Sequence, residues 1–217
     1  MTGAAAAIVL WGLTPAVLAD PLVSAHQLST AEQERAALML RAPDRDDFEA
    51  AHFLARVCGG WFGLGPDRLE LRQECAVCGG SHGVPRFSSA PHLRVSIAHA
   101  SGAVVAGVAS RSIGVDIEPV RAVAPTDLTP VLSAEEAAWL RSRPDDTIRI
   151  WCRKEAAAKA SEAGLAGMRD VKALTGSWTE LTSAEFQLCV STSAPVVLGR
   201  IGERLPARGR LPFCGAP

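Results

Sequence analysis

Ile113-Gly114-Val115-Asp116-Ile117-Glu118 decides how this chain is read. In a strand, side chains alternate between two faces. Ile113, Val115 and Ile117 then share one face and can enter a core, while Gly114, Asp116 and Glu118 share the other. Two carboxylates one residue apart on a strand project together, and like charges that close cost energy unless a cation sits between them. Oxygen-only ligands suit a hard ion such as magnesium. An edge strand carrying two solvated acids is the plainer alternative.

A second stretch bears on that choice. Asp145, Asp146 and Thr147 are cap candidates, the interior is alanine-rich, and Gly164 is a stop signal, so a helix is expected from Thr147 to Gly164. Its apolar stripe is Ile148, Trp151 and Cys152. Continued at helical spacing, that line meets Glu155 and Lys159. On an exposed face such an i,i+4 pair adds only a few tenths of a kcal/mol, on the order of 0.3. On the inward line an acid and a base call for a ligand, such as a metal with a phosphate.

Taken together, Gly114-Val115-Asp116-Ile117-Glu118 and Trp151-Cys152-Arg153-Lys154-Glu155-Ala156-Ala157-Ala158-Lys159 resemble the paired motifs of the 4′-phosphopantetheinyl transferase superfamily, surfactin-type branch. The resemblance spans roughly residues 5 to 200. It implies an α+β fold of two similar halves related by a pseudo-twofold, with the active cleft between them. The expected division is 1–106, a half that contacts coenzyme A; 107–202, a half with the metal-binding strand and the long helix; and a loose tail, 203–217.

The same resemblance implies the reaction and its residues. The 4′-phosphopantetheine group of coenzyme A would move to a serine of an apo acyl or peptidyl carrier protein, releasing adenosine 3′,5′-bisphosphate. This chemistry serves fatty-acid, polyketide or peptide synthases. Asp116, Glu118 and Glu155 are the expected ligands of magnesium, or of manganese in its place. Glu155 is the candidate base for the serine, directly or through a water, and Lys159 would hold diphosphate oxygen. His99, in Leu93-Arg94-Val95-Ser96-Ile97-Ala98-His99-Ala100, matches a phosphate-contacting histidine of the family, although Ala98 and Ala100 replace its hydroxyl residues. Gly83-Val84-Pro85 matches a family turn whose basic middle residue approaches the diphosphate or the carrier; here Val84 fills that slot and Arg86, which follows, is the candidate to replace that contact. Arg45 is the nearest candidate for a 3′-phosphate contact, two residues before the aligned position, Asp47. Lys154 lies about 100° around the helix from the catalytic line and is a further phosphate candidate. Gly114, if it lines the cleft, would let substrate approach the strand.

Composition narrows the classes. The chain has 217 residues, 48% of them hydrophobic, with a mean hydropathy of +0.15, so a core is easily supplied. The net charge is −1. No whole-chain basic field points to nucleic acid. No apolar run reaches the ~18 residues of a membrane span. The apolar start lacks a basic leader region, and Trp11-Gly12 and Pro15 interrupt it, so a strand from about Ala6 to Gly12 is expected instead. Six scattered cysteines suit a reducing cytoplasm better than a disulfide-stapled module. A monomer is expected.

Along the chain, Ser29 to Glu32, Thr30 to Gln33 and Ser133 to Glu136 have capping-box spacing. Helices are expected to about Leu40, from Asp44 to Cys58, and to about Arg141. Arg56 reads as packed or paired. Leu69–Arg72, Ser101–Ala109, Trp178–Leu181, Phe186–Val190 and Pro195–Ile201 read as strands, the last three antiparallel. Cys75-Ala76-Val77-Cys78, with His82, could bind zinc, but the spacing offers no fourth ligand; a loop of ordinary or redox-sensitive thiols is the other reading. Three rivals to the transferase stand: a coenzyme A-binding protein that has lost catalysis, a zinc or redox module on Cys75, Cys78 and His82, and an unrelated magnesium phosphohydrolase that would turn over coenzyme A without a carrier acceptor.

Overall fold

The computed structural model describes residues 6–24, 27–65, 68–75, 78–80, 83–121, 123, 125–162 and 165–203. His82, Gly164 and the tail from 204, expected to be a zinc donor, a helix stop and a loose end, lie outside the described residues.

The chain is mixed α+β, and its two halves repeat one plan. In the first, β1 (Ala7–Leu13) is followed by α1 (Thr14–Ala19), α2 (Pro21–Ser24), α3 (Thr30–Ala37) and α4 (Ala42–Gly60). Then come β2 (Leu71–Gln73), β3 (Pro85–Phe87), β4 (Arg94–Ala100) and β5 (Ala103–Ala109). In the second, β6 (Ile113–Pro119) is followed by α5 (Ala134–Ser142), α6 (Thr147–Ser161), β7 (Thr179–Thr182), β8 (Phe186–Thr192) and β9 (Val196–Arg200). The strand orders correspond: β4-β5-β1 in one sheet, and β7-β8-β6 in the other.

One strand departs from expectation. β8 runs antiparallel to both β6 and β7, but β9 leaves that sheet and pairs parallel with β1, Val9 opposite Leu198. The second half thus lends its last strand to the first sheet.

Local signals account for the element ends. Two capping boxes form: Ser29 with Glu32 opens α3, and Ser133 with Glu136 opens α5. α3 ends at Ala37, and α4 starts at Ala42 with Pro43 in its first turn, where the missing N–H costs nothing. β4 and β5 join through Ser101 and Gly102, whose φ angles of 51° and 80° give the two-residue turn that suits strand twist. α6 ends at Glu162, which is left-handed with φ 58°.

Apolar alternation builds two main cores. Ala7, Val9, Trp11 and Val105 of the first sheet meet Ile113, Val115, Ile117, Leu188 and Val190 of the second. On the opposite face of the first sheet, Ile8, Leu10, Val104 and Val108 pack under Leu54, Ala55 and Cys58 of α4. α6 covers the other sheet's outer face through Cys152 and Ala156. The edge strands β4 and β6 adjoin, and the Val115 N–H donates to Ser96 Oγ at 3.0 Å. Along that seam the faces covered by α4 and α6 meet. Among the described residues no helix is long and apolar enough to cross a membrane.

Candidate active site

The β6 pleat sends Asp116 and Glu118 toward α6, as alternation requires, while Ile113, Val115 and Ile117 enter the core. α6 can lie against that face because of Gly114. A Cβ there would overlap the Ala156 carbonyl oxygen and sit 2.5 Å from the Ala160 nitrogen. The glycine therefore serves helix–strand contact, and the expected approach of substrate to this position is corrected: backbone of α6 fills the space.

Glu155 and Lys159 follow one another by a turn on α6 and face β6. Lys159 Nζ donates to Asp116 Oδ1 at 2.7 Å and lies 3.9 Å from Glu155 Oε2. Glu118 Oε1 accepts the Trp151 indole N–H at 2.8 Å. These four charged groups and His99 line one cavity of about 340 Å³, which opens at the seam between the halves. Arg35, Phe48 and His52 line its other side. His99, next to last in β4, places Nδ1 4.0 Å from Asp47 Oδ2.

Electrostatics in the cavity follow burial and crowding. Burial pushes Asp116 up to about 6; the Lys159 ammonium opposes this, and Glu118 and Glu155 add to it. Lys159 is desolvated, but Asp116, followed by Glu155, outweighs that and holds its pKa above the usual lysine value. Surrounding protein lowers the His99 pKa, with Asp47 opposing and Lys159 adding. Asp116 Oδ2 is buried and has no hydrogen-bond partner. A buried, unpaired carboxylate oxygen is costly, and a hard cation would satisfy it. The donor set therefore fits a magnesium ion in kind. In the arrangement seen, Lys159 holds the other Asp116 oxygen and Trp151 holds Glu118. Among the described residues no three His, Cys, Asp or Glu side chains are drawn close enough to hold an ion.

The remaining expected site residues are placed elsewhere. Lys154 is fully buried: Nζ lies 2.8 Å from Glu136 Oε2 and donates to the carbonyls of Met168 and Val171 at 2.9 and 2.8 Å. Its assignment to phosphate is corrected, because every direction its ammonium can use is taken inside the protein. Arg45 is exposed, lies 3.9 Å from Asp46 and does not line the cavity. The aligned Asp47 is buried, accepting from Thr14 Oγ1 and, at 3.2 Å, from the Gly102 N–H. Arg86 reaches across the seam to Glu162, with Nη2 2.8 and 2.7 Å from its two carboxylate oxygens. It stands beside a neighbouring cleft of about 320 Å³, lined by Gly83, Val84 and Pro85 together with Lys159.

Sequence reasoning missed Arg35. It lines the cavity, donates to Gln73 Oε1 and stacks 5.1 Å from the Phe48 ring centroid. The signal was present: the capping box turns Glu32 inward, and Arg35 lies one turn later on the same face. Glu32 binds His52 Nδ1 at 2.6 Å and accepts two bonds from Arg56, which bears out the reading of Arg56 as paired.

No curated protein matches the chain. Residues 112–199, the stretch that takes in β6, α5 and α6 and so carries Asp116, Glu118, Glu155 and Lys159, match the family model of the 4′-phosphopantetheinyl transferase superfamily (ACPS).

Proposed function

We propose that this protein is a magnesium-dependent 4′-phosphopantetheinyl transferase of the surfactin type, which loads apo acyl or peptidyl carrier proteins from coenzyme A. One observation carries the reading. The acids and the lysine of the matched segment share a cavity at the seam with His99 of the other half, and one oxygen of Asp116 is buried there without a partner.

Asp116, Glu118 and Glu155 are the residues that would hold magnesium. When bound, the ion supplies a Lewis acid that neutralises charge on the diphosphate. Phosphoryl transfer depends chiefly on positioning and charge compensation. Lys159 and Arg35 supply fixed positive charge at two sides of the cavity, and Lys159 and His99 orient diphosphate oxygens. Glu155, close to Lys159 and partly open to the cavity, takes the proton of the carrier serine, directly or through a water. The serine oxygen forms a bond to the β-phosphorus. The bond from that phosphorus to the bridging oxygen breaks, and adenosine 3′,5′-bisphosphate leaves.

The test is direct. The protein is incubated with coenzyme A, magnesium and an apo carrier, and the carrier is weighed. Gain of the phosphopantetheine mass, dependent on magnesium, is the expected result. Coenzyme A binding without mass gain on any of several carriers would overturn the transferase in favour of a binding protein that has lost catalysis.

A further inference from the structure

We infer that Glu162 is an internal stand-in for phosphate: at the rim of the cleft beside the site cavity it holds Arg86 until a phosphoryl group of coenzyme A takes the guanidinium over. This role presupposes coenzyme A as the substrate, as proposed above, and makes Glu162 a competitor for its binding.

The backbone at Glu162 is not one that its side chain favours. The residue follows the last turn of α6 with φ 58° and ψ 15°. Glycine is the usual residue in such a place, because a Cβ crowds the left-handed conformation. Among the described residues other than glycine, only Ser101 in the β4–β5 turn shares a positive φ. A glutamate kept in that conformation calls for a side-chain contact that offsets the cost. That contact crosses the seam. Arg86 Nη2 donates to both Glu162 carboxylate oxygens at 2.8 and 2.7 Å, and Arg94 Nη1 lies 3.8 Å from Oε1. β3 and β4 carry the arginines and α6 leads into the glutamate, so the two halves meet here.

The pairing leaves half of the guanidinium unused. An arginine binds an anion most strongly when two of its nitrogens donate side by side to two oxygens. Here one nitrogen serves both oxygens, and Arg86 Nη1 is buried with no hydrogen-bond partner. A phosphoryl group can take both nitrogens at once. Glu162 lines the cleft of about 320 Å³, and Gln73, Ile97, Glu155 and Lys159 line both that cleft and the site cavity, so the two spaces adjoin. Lys159 supplies positive charge between them. A buried Nη1 suits a small anion better than the surface of a second protein. Arg94 completes the exchange, because it stands where it can keep the Glu162 carboxylate once Arg86 has turned away.

Coenzyme A binding is measured by calorimetry, without carrier, on full-length wild type, Glu162→Gln, Arg86→Gln and the double variant, with melting curves to show that each is folded. Glu162→Gln removes the charge and keeps the shape. It should tighten coenzyme A binding by about two- to fivefold, the scale of an exposed ion pair. Glu162→Gly should give the same gain and serves if Glu162→Gln is unstable. Arg86→Gln should weaken binding by about tenfold or more, the scale of a hydrogen bond to a charged group. In the Arg86→Gln background the Glu162 change should bring no gain, because no guanidinium remains to be released. Dephospho-coenzyme A tells which phosphoryl group is recognised: the gain persists if the diphosphate meets Arg86 and vanishes if the 3′-phosphate does. Weaker or unchanged binding by Glu162→Gln overturns the proposal, since Glu162 would then hold Arg86 in place for the ligand or have no part in binding. An equal gain with and without Arg86 overturns it in favour of simple charge repulsion. An effect on the carrier's KM alone overturns it by assigning Arg86 to the carrier, and so does absence of coenzyme A binding in both wild type and Glu162→Gln. A carrier left unloaded while the expected binding pattern holds would refute the transferase alone.

Discussion

The Lys159 ammonium stands 2.7 Å from Asp116 Oδ1 and pins the last turn of α6 to the middle of β6. It stands between Asp116 of β6 and Glu155 of its own helix. Replacing it with methionine leaves burial, Glu118 and Glu155 to act on Asp116 unopposed, so the Asp116 pKa should rise further above its present value of about 6. Carrier loading by Lys159→Met should fall by about 10²–10³-fold, the scale seen when one charge-stabilising donor is removed. Loading rates by mass, with carboxyl NMR titration of Asp116, check both parts. Unchanged rates would refute the role given to Lys159.

Trp151 fixes Glu118 through its indole N–H. Trp151→Phe keeps an aromatic ring and removes the donor. Groups that orient metal ligands typically contribute about 10–100-fold in metal affinity, so the variant should need correspondingly more magnesium to reach half its maximal rate. A magnesium titration of loading measures this. A purely structural tryptophan would lower stability and leave the magnesium requirement in place.

Lys154 belongs to stability. Lys154→Ala leaves the Glu136 carboxylate buried without its cation, and breaking a buried pair this way costs about 3–5 kcal/mol. Urea unfolding of Lys154→Ala should show that loss. A Lys154→Met, Glu136→Leu double variant should recover much of it. At temperatures where Lys154→Ala remains folded, its affinity for coenzyme A should match wild type by calorimetry.

Gly114→Ala tests the seat of α6. The added methyl meets backbone rather than a yielding side chain, so the helix must shift and carry Glu155 and Lys159 with it. Overpacking of this kind costs about 1–3 kcal/mol or more. Thermal melting should show the destabilisation, and carrier loading should fall beyond what the loss of folded protein explains.

Glu32 makes a pH prediction. Burial opposes its charge, but bonds from His52 and Arg56 hold its pKa at about 2, below the ordinary 4.5. A depressed carboxylate stabilises the fold above its unfolded pKa and loses that contribution as pH falls from about 4.5 through about 2. The full difference corresponds to about 3 kcal/mol. Wild-type stability should therefore drop across that window more steeply than that of Glu32→Gln, which lacks the titration. Parallel pH profiles in urea denaturation would count against it.

What the sequence by itself determined is what depends on neighbours along the chain. Alternation put Asp116 and Glu118 on one side of β6, the 3.6-residue repeat put Glu155 and Lys159 on one line of α6, and the capping boxes opened α3 and α5 at Ser29 and Ser133. Only the tertiary structure decided the rest. Lys154 read as a phosphate ligand because its partner, Glu136, comes from another helix. Gly114 read as room for substrate because helix backbone fills the gap. Arg35 drew no reading from its own segment, because the cavity it lines forms only when α3 packs beside Phe48, and β9 left its neighbours to pair with β1. Local periodicity fixes which way a side chain points from its own element. Which charge or backbone it then meets depends on contacts between distant segments, and those arise only when the two sheets close on their shared core.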